Sequence, residues 1–167
     1  MTVGILSDEI EIVQNPVLGA AIIWNFVKGY YSNKCTFPEF QLAFIVLPII
    51  YREELVELIT STNKPSGLRY FTDKLSTTKI LQRDMLLHIH DNASKMKDLT
   101  LRSVNIAISA SLITIDTESC EMMPISTTQH KGVSKSIAQL LKAAEKLGYW
   151  CADLTLHEIT KILKVRF

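Results

Sequence analysis

The residues able to do chemistry in this 167-residue chain are few and scattered. His88 and His90 form the nearest histidine pair. Two positions apart on a helix places them roughly 200° apart around the axis, so they cannot share one ion. They read as one half-buried and one exposed ring. His157-Glu158 lies inside Thr155-Leu-His-Glu158, a capping-box spacing that accounts for the carboxylate without catalysis. For Cys35, Cys120 and Cys151 the spacing predicts no pairing with a His or carboxylate that would activate a thiol, and they read as buried structural residues. Gly132-Val-Ser-Lys135-Ser136 has the Lys-Ser end of a phosphate loop but neither its first glycine nor its Gly-Lys pair. GxGxxG, a nucleophile elbow and His-Glu-x-x-His are all missing. The expectation is no catalytic residue, no metal site, no cofactor and no enzyme activity.

Two surfaces remain that could hold a macromolecule. Net charge is +1, but residues 1–63 carry −4 and residues 64–167 carry +5. Lys135, Lys142 and Lys146 fall on one helix, spaced seven and four, and could touch DNA or an acidic protein. A solvated helix face is the simpler account. Trp24, Tyr30 and Tyr31 share a segment with Ile22, Ile23, Phe26 and Val27. Core packing explains most of these; the three aromatics are the candidate partner anchors.

The elements that must position these residues follow from pattern. Residues 1–14 read as an irregular or strand-like lead-in, with Asp8, Glu9 and Glu11 and no early Lys or Arg, unlike a secretory signal. Asn15-Pro16 reads as a helix start. The helix over 17–31 is apolar on nearly every face, so it is central or covered by a partner. Thr36-Phe-Pro-Glu39 has capping-box spacing ahead of a greasy helix over 40–50, kinked or ended by Pro48, with an amphipathic continuation over 52–59. The polar stretch 61–67 is the clearest loop.

A short helix is expected over 68–75, a longer one over 79–97 and a third over 101–111, the last capped by Thr100. Leu112-Ile-Thr-Ile115, the turn Asp116-Thr-Glu-Ser119 and residues 120–125 predict a β-hairpin. An amphipathic helix over 133–147 should stop at Gly148, and Thr155 should open a last helix ending near Val165. The fold class is mainly α with a small β-hairpin. It divides into an apolar helical lobe, 1–63, and a winged-helix-like lobe, 64–167, with C-terminal helices, unless the two are continuous. The order helix, helix, helix, hairpin over 79–125 suggests the winged helix. Its recognition helix would be 101–111, where Arg102 is the sole basic residue beside Asn105 and Ser109. The longest apolar run has ten residues and contains Pro48, half of what a bilayer needs at about 20. Three well-separated cysteines fit a reducing cytoplasm.

Several segments together resemble a known family. They are Asn15-Pro16-x-x-x-Ala20-x-x-x-Trp24-x-Phe26-x-x-Gly29-Tyr30-Tyr31, then Phe40-x-Leu42-x-Phe44-x-Val46-Leu47-Pro48-x-x-Tyr51-Arg52-x-Glu54. Near the end come Ala144-Glu-Lys146-Leu147-Gly148-Tyr-Trp150-x-Ala152 and Ile159-x-x-x-Leu163-x-Val165. Leu99-Thr100-x-x-Ser103 and Ala107-x-x-x-x-Leu112-Ile113-x-Ile115 also fit. The chain thus resembles the small middle component of prokaryotic three-component ABC systems, related to Lamassu-type anti-phage operons. One departure is Asp153-Leu-Thr155, where the family usually has Gly before the last helix. The resemblance implies a non-catalytic adaptor between an SMC-like ABC ATPase with a coiled coil and an effector carrying a nuclease or other toxic domain. DNA would be met through that complex, and no membrane or small-molecule substrate is expected. The alternative is a winged-helix DNA-binding regulator.

Overall fold

The computed structural model describes residues 15–75 and 79–167, and for residues 79–83 the backbone alone. The lead-in over 1–14 lies outside the described residues. Eight α-helices and one two-stranded hairpin are described: α1 (Pro16–Lys34), α2 (Ala43–Ile50), α3 (Glu53–Ser61), α4 (Gly67–Leu75), α5 (Lys79–Lys95), α6 (Lys97–Ser109), β1 (Ile113–Ile115), β2 (Met122–Pro124), α7 (Lys135–Cys151) and α8 (Leu156–Leu163). The mainly α fold with a small hairpin is as the sequence predicts.

α1 is the axis of the molecule. Asn15 caps it as expected, its Oδ1 accepting from the amides of Val17 at 2.9 Å and Leu18 at 3.3 Å. The helix is apolar all round because neighbours cover it nearly all round. It packs most extensively on α7 and next on α6. Leu18, Ile22, Ile23, Phe26 and Val27 are all buried in one cluster that also takes Leu47, Val104 and Leu147. The core therefore draws on both sides of residue 63. At the crossing of α1 and α7 the backbones nearly touch. A Cβ on Gly148 would collide with the Phe26 carbonyl oxygen, and one on Gly29 with the Glu145 carbonyl oxygen. Gly148 is thus not a stop signal: α7 runs through it to Cys151, and the missing side chain lets the helices close.

Four further local expectations change. Thr36–Glu39 makes no capping box. Instead Glu39 bridges Glu121, with the Phe40 amide on the Cys120 carbonyl and the Met122 amide on the Pro38 carbonyl, both 2.8 Å, so this stretch lies along β2. A 3₁₀ turn, Phe40–Leu42, then leads into α2. Pro48 sits inside α2, which ends at Ile50, and α3 is a separate helix rather than a continuation. Thr100 does not cap α6. That helix starts at Lys97, and Thr100 is buried within it, its hydroxyl without a hydrogen-bond partner. The hairpin pairs as expected, Thr114 opposite Met123. The second capping box also forms as expected: Thr155 Oγ1 accepts from the Glu158 amide, and Glu158 Oε2 accepts from the Thr155 amide at 2.9 Å.

Candidate interaction surfaces

Three aromatics on α1 meet different surroundings. Trp24 is 5% exposed. Its indole N–H donates to the Ser126 carbonyl at 2.8 Å, His130 stands edge-on 5.0 Å from its ring, and Lys28 lies over its face at 4.1 Å. The buried Asn25 completes this corner by bonding Ala21 O and His130 Nε2 at 2.7 and 2.9 Å. Burial, and then the Lys28 charge, hold the His130 pKa below its ordinary value. Trp24 thus anchors the polar loop 126–132 to α1. Tyr30 is half-buried against Phe26. Tyr31 is half-buried too, stacked on Phe37 at 5.5 Å, beside the exposed Cys35 and Thr36.

The three lysines of α7 also separate. Lys135 and Lys142 are exposed. Lys146 is committed inward: its ammonium donates to the carbonyls of Ile59, Thr60 and Thr62 at 3.1, 3.1 and 2.9 Å. It satisfies the open C-terminal carbonyls of α3, which suits a cation at the negative end of a helix dipole. Burial and then the nearby Lys64 lower its pKa. Lys64, Lys142 and Lys146 border a shallow cleft of about 350 Å³, together with Thr60 and Glu145.

The cysteines divide likewise. Cys151 is fully buried, and burial pushes its thiol up to about 12. Cys35 and Cys120 are exposed, contrary to the expectation, each at a left-handed backbone position. His88 is exposed, and the half-buried His90 accepts the Arg166 amide on Nδ1 at 3.4 Å. On α6, Arg102, Asn105 and Ser109 all reach solvent, and Arg102 is paired with Asp98 at 2.9 Å. The exposed Leu101 and Ile108 lie on the same side of that helix.

A larger cleft, about 630 Å³, escaped the sequence reading. It lies between 50–57, the elbow from α2 into α3, and 136–140, the start of α7. Ile50 and Val56 lie buried at its base, and the half-buried Ile137 and Leu140 form one wall. Glu53, Glu54 and Glu57 are exposed along it. Arg52 approaches Glu54 only to 3.8 Å, and its buried Nε makes no hydrogen bond. The Tyr51 hydroxyl is also shielded and unpartnered, and burial pushes its pKa up to about 12. The one sequence signal was the carboxylate triplet at the start of an amphipathic helix.

These features describe a small helical protein built around one central helix, with open surfaces rather than a reaction centre among the described residues. The chain belongs to the family ABC-three component (ABC-3C) system Middle Component 3, which matches residues 3–167. It is therefore a middle component of a three-component ABC system. No curated protein and no solved structure matches it. Among the described residues, no helix is long and apolar enough to cross a membrane.

Proposed function

We propose that this chain is a non-catalytic adaptor that joins an SMC-like ABC ATPase to an effector protein in a Lamassu-like anti-phage complex in the cytoplasm. The observation that carries the reading is membership of a middle-component family over residues 3–167, since a middle component belongs with the other members of its system. The surfaces described above supply places to hold partners. Tyr31, half-buried and stacked on Phe37, is the best placed of the three aromatic anchors; Tyr30, packed against the core, offers less, and the buried Trp24 least. Lys135 and Lys142 would add weak, salt-sensitive contacts to DNA or an acidic partner, with Lys146 held back by α3.

The test is co-purification with the other proteins of the operon, using Trp24→Ala, Tyr30→Ala and Tyr31→Ala. Truncating an interface anchor typically costs about 2 kcal/mol or more of binding, roughly 30-fold. Truncating the core Trp24 instead costs about 3–5 kcal/mol of folding stability. Tyr31→Ala should keep its melting temperature within a few degrees and weaken the complex. Failure of the wild-type chain to join either the ATPase or the effector would sink the adaptor reading. Sequence-specific DNA binding lost in Arg102→Ala or Asn105→Ala would replace it with a winged-helix regulator.

A further inference from the structure

We propose that the cleft between the start of α3 and the first turns of α7 is a docking groove for a basic, amphipathic segment of a partner protein. The apolar side chains of that segment would meet Ile137 and Leu140, and its Lys or Arg side chains would meet Glu53, Glu54 and Glu57. The inference rests on the adaptor reading and adds the chemistry of one partner. Two observations point the same way.

The first is shape. The cleft volume of about 630 Å³ falls in the range of roughly 300–1,000 Å³ that encloses compact ligands. Its wall is aliphatic: Ile137 and Leu140 are half-buried, packed against the core and lining the cleft.

The second is charge. Of the charged residues lining the cleft, three are carboxylates and one is a guanidinium. Glu53 and Glu57 form no ion pair among the described residues, and Glu54 meets Arg52 only at 3.8 Å. Carboxylates in the first turn of α3 are tolerated by its helix dipole, so the fold can hold them without a cation of its own.

The same charges argue against other occupants. A nucleic acid would be repelled by the carboxylate rim. Residues 1–14 of this chain carry Asp8, Glu9 and Glu11 and no Lys or Arg, so they lack the complementary charge. A Lys- or Arg-bearing amphipathic segment has both required parts, and helix-in-groove docking reads such a segment by its apolar face.

The experiment uses the full chain and two synthetic 16-residue helical peptides of Leu and Ala, one with Lys and Arg on its polar face and one with Glu. Fluorescence anisotropy should show saturable binding of the basic peptide, weakened by salt. Glu53→Gln with Glu57→Gln should weaken it roughly fivefold or more, the scale of two lost ion pairs at a partly desolvated site. Glu118→Gln, in the distant hairpin turn, should change nothing. Hydrogen exchange should slow over 50–57 and 136–140 when the peptide is bound. Equal binding of both peptides, an equal loss with Glu118→Gln, or protection confined elsewhere would overturn the proposal. So would a self-associated dimer that the double Gln variant dissociates. Co-purification separates this proposal from the adaptor reading. If the double variant joins the operon proteins as tightly as wild type, the groove proposal falls and the adaptor stands. If the wild-type chain joins nothing, the adaptor falls and the peptide measurements alone decide the groove.

Discussion

The two ends of α7 solve opposite problems with one helix. Its C-terminal half lies against α1 so closely that Gly29 and Gly148 leave no room for a Cβ, and Leu147, Trp150 and Cys151 are buried. Asn33 Nδ2 on α1 donates to the Tyr149 carbonyl at 2.8 Å across this seam, and the Trp150 indole ties the same end of α7 to the loop after α3 through the Lys64 carbonyl at 2.8 Å. Its N-terminal turns border α3 across a cleft, lined by the half-buried Ile137 and Leu140. The difference lies at the contact: Gly148 lets the backbones of α7 and α1 meet, whereas Ile137 and Leu140 stand beside exposed carboxylates. Stability should therefore concentrate at one end and binding at the other.

Breaking the sealed end should have the largest effect. Gly148→Ala should destabilise the fold by about 3 kcal/mol or more, because two backbones must separate, which outweighs the gain of roughly 1 kcal/mol in helix propensity. Urea unfolding would show it, and a loss under 1 kcal/mol would mean the crossing is looser than described. A titration comes next. Cys151 is raised from 9.0 to about 12 in the fold. Between those values the unfolded chain has lost the thiol proton and the folded chain keeps it, so stability falls as pH rises. The slope is about 1.4 kcal/mol per pH unit per group. From pH 9 to 10.5 that is about 2 kcal/mol, and Cys151→Ala should flatten this part of the curve.

Lys146→Ala should cost about 1–2 kcal/mol, since it strips three carbonyls at the end of α3 of a charged donor. The loss should be the same at low and high salt if hydrogen bonding, not long-range charge, is the cause. The smallest effect belongs to the open end. Glu57→Gln should leave stability within about 0.5 kcal/mol of wild type, as surface substitutions usually do. A larger loss would mean that the groove carboxylates serve the fold and would blur the contrast between the two ends.

Local signals in the sequence were legible where one residue acts on its own neighbours. Asn15 capping α1, the Thr155–Glu158 box and the turn at Asp116 all depend on atoms within three or four positions. The errors arose where a distant segment decides. Gly148 looks like a helix stop until Phe26, more than a hundred positions earlier, is placed against it. Thr36–Glu39 looks like a cap until Cys120 and Met122 claim its backbone. Thr100 has the type of a cap but sits inside a helix that begins three residues sooner. The candidate surfaces follow the same division. Aromatic type marked Trp24, Tyr30 and Tyr31 alike, and only tertiary neighbours distinguish an anchor of loop 126–132 from a half-exposed ring. Of the cleft beside α3 only the carboxylates Glu53, Glu54 and Glu57 show in the local sequence, because its other wall comes from a helix some eighty residues later.

The way α7 covers α1 also sets a schedule. α1 leaves the ribosome before the other described elements, and its principal cover is made about 100 residues later, some 5–20 s at typical synthesis rates of roughly 5–20 residues per second. For that interval a helix bearing Ile22, Ile23, Trp24, Phe26 and Val27 has water where α7 will be. Newly made chains are therefore most prone to clumping before they are finished, and expression yield should respond more to slow translation and chaperone supply than to the stability of the completed fold.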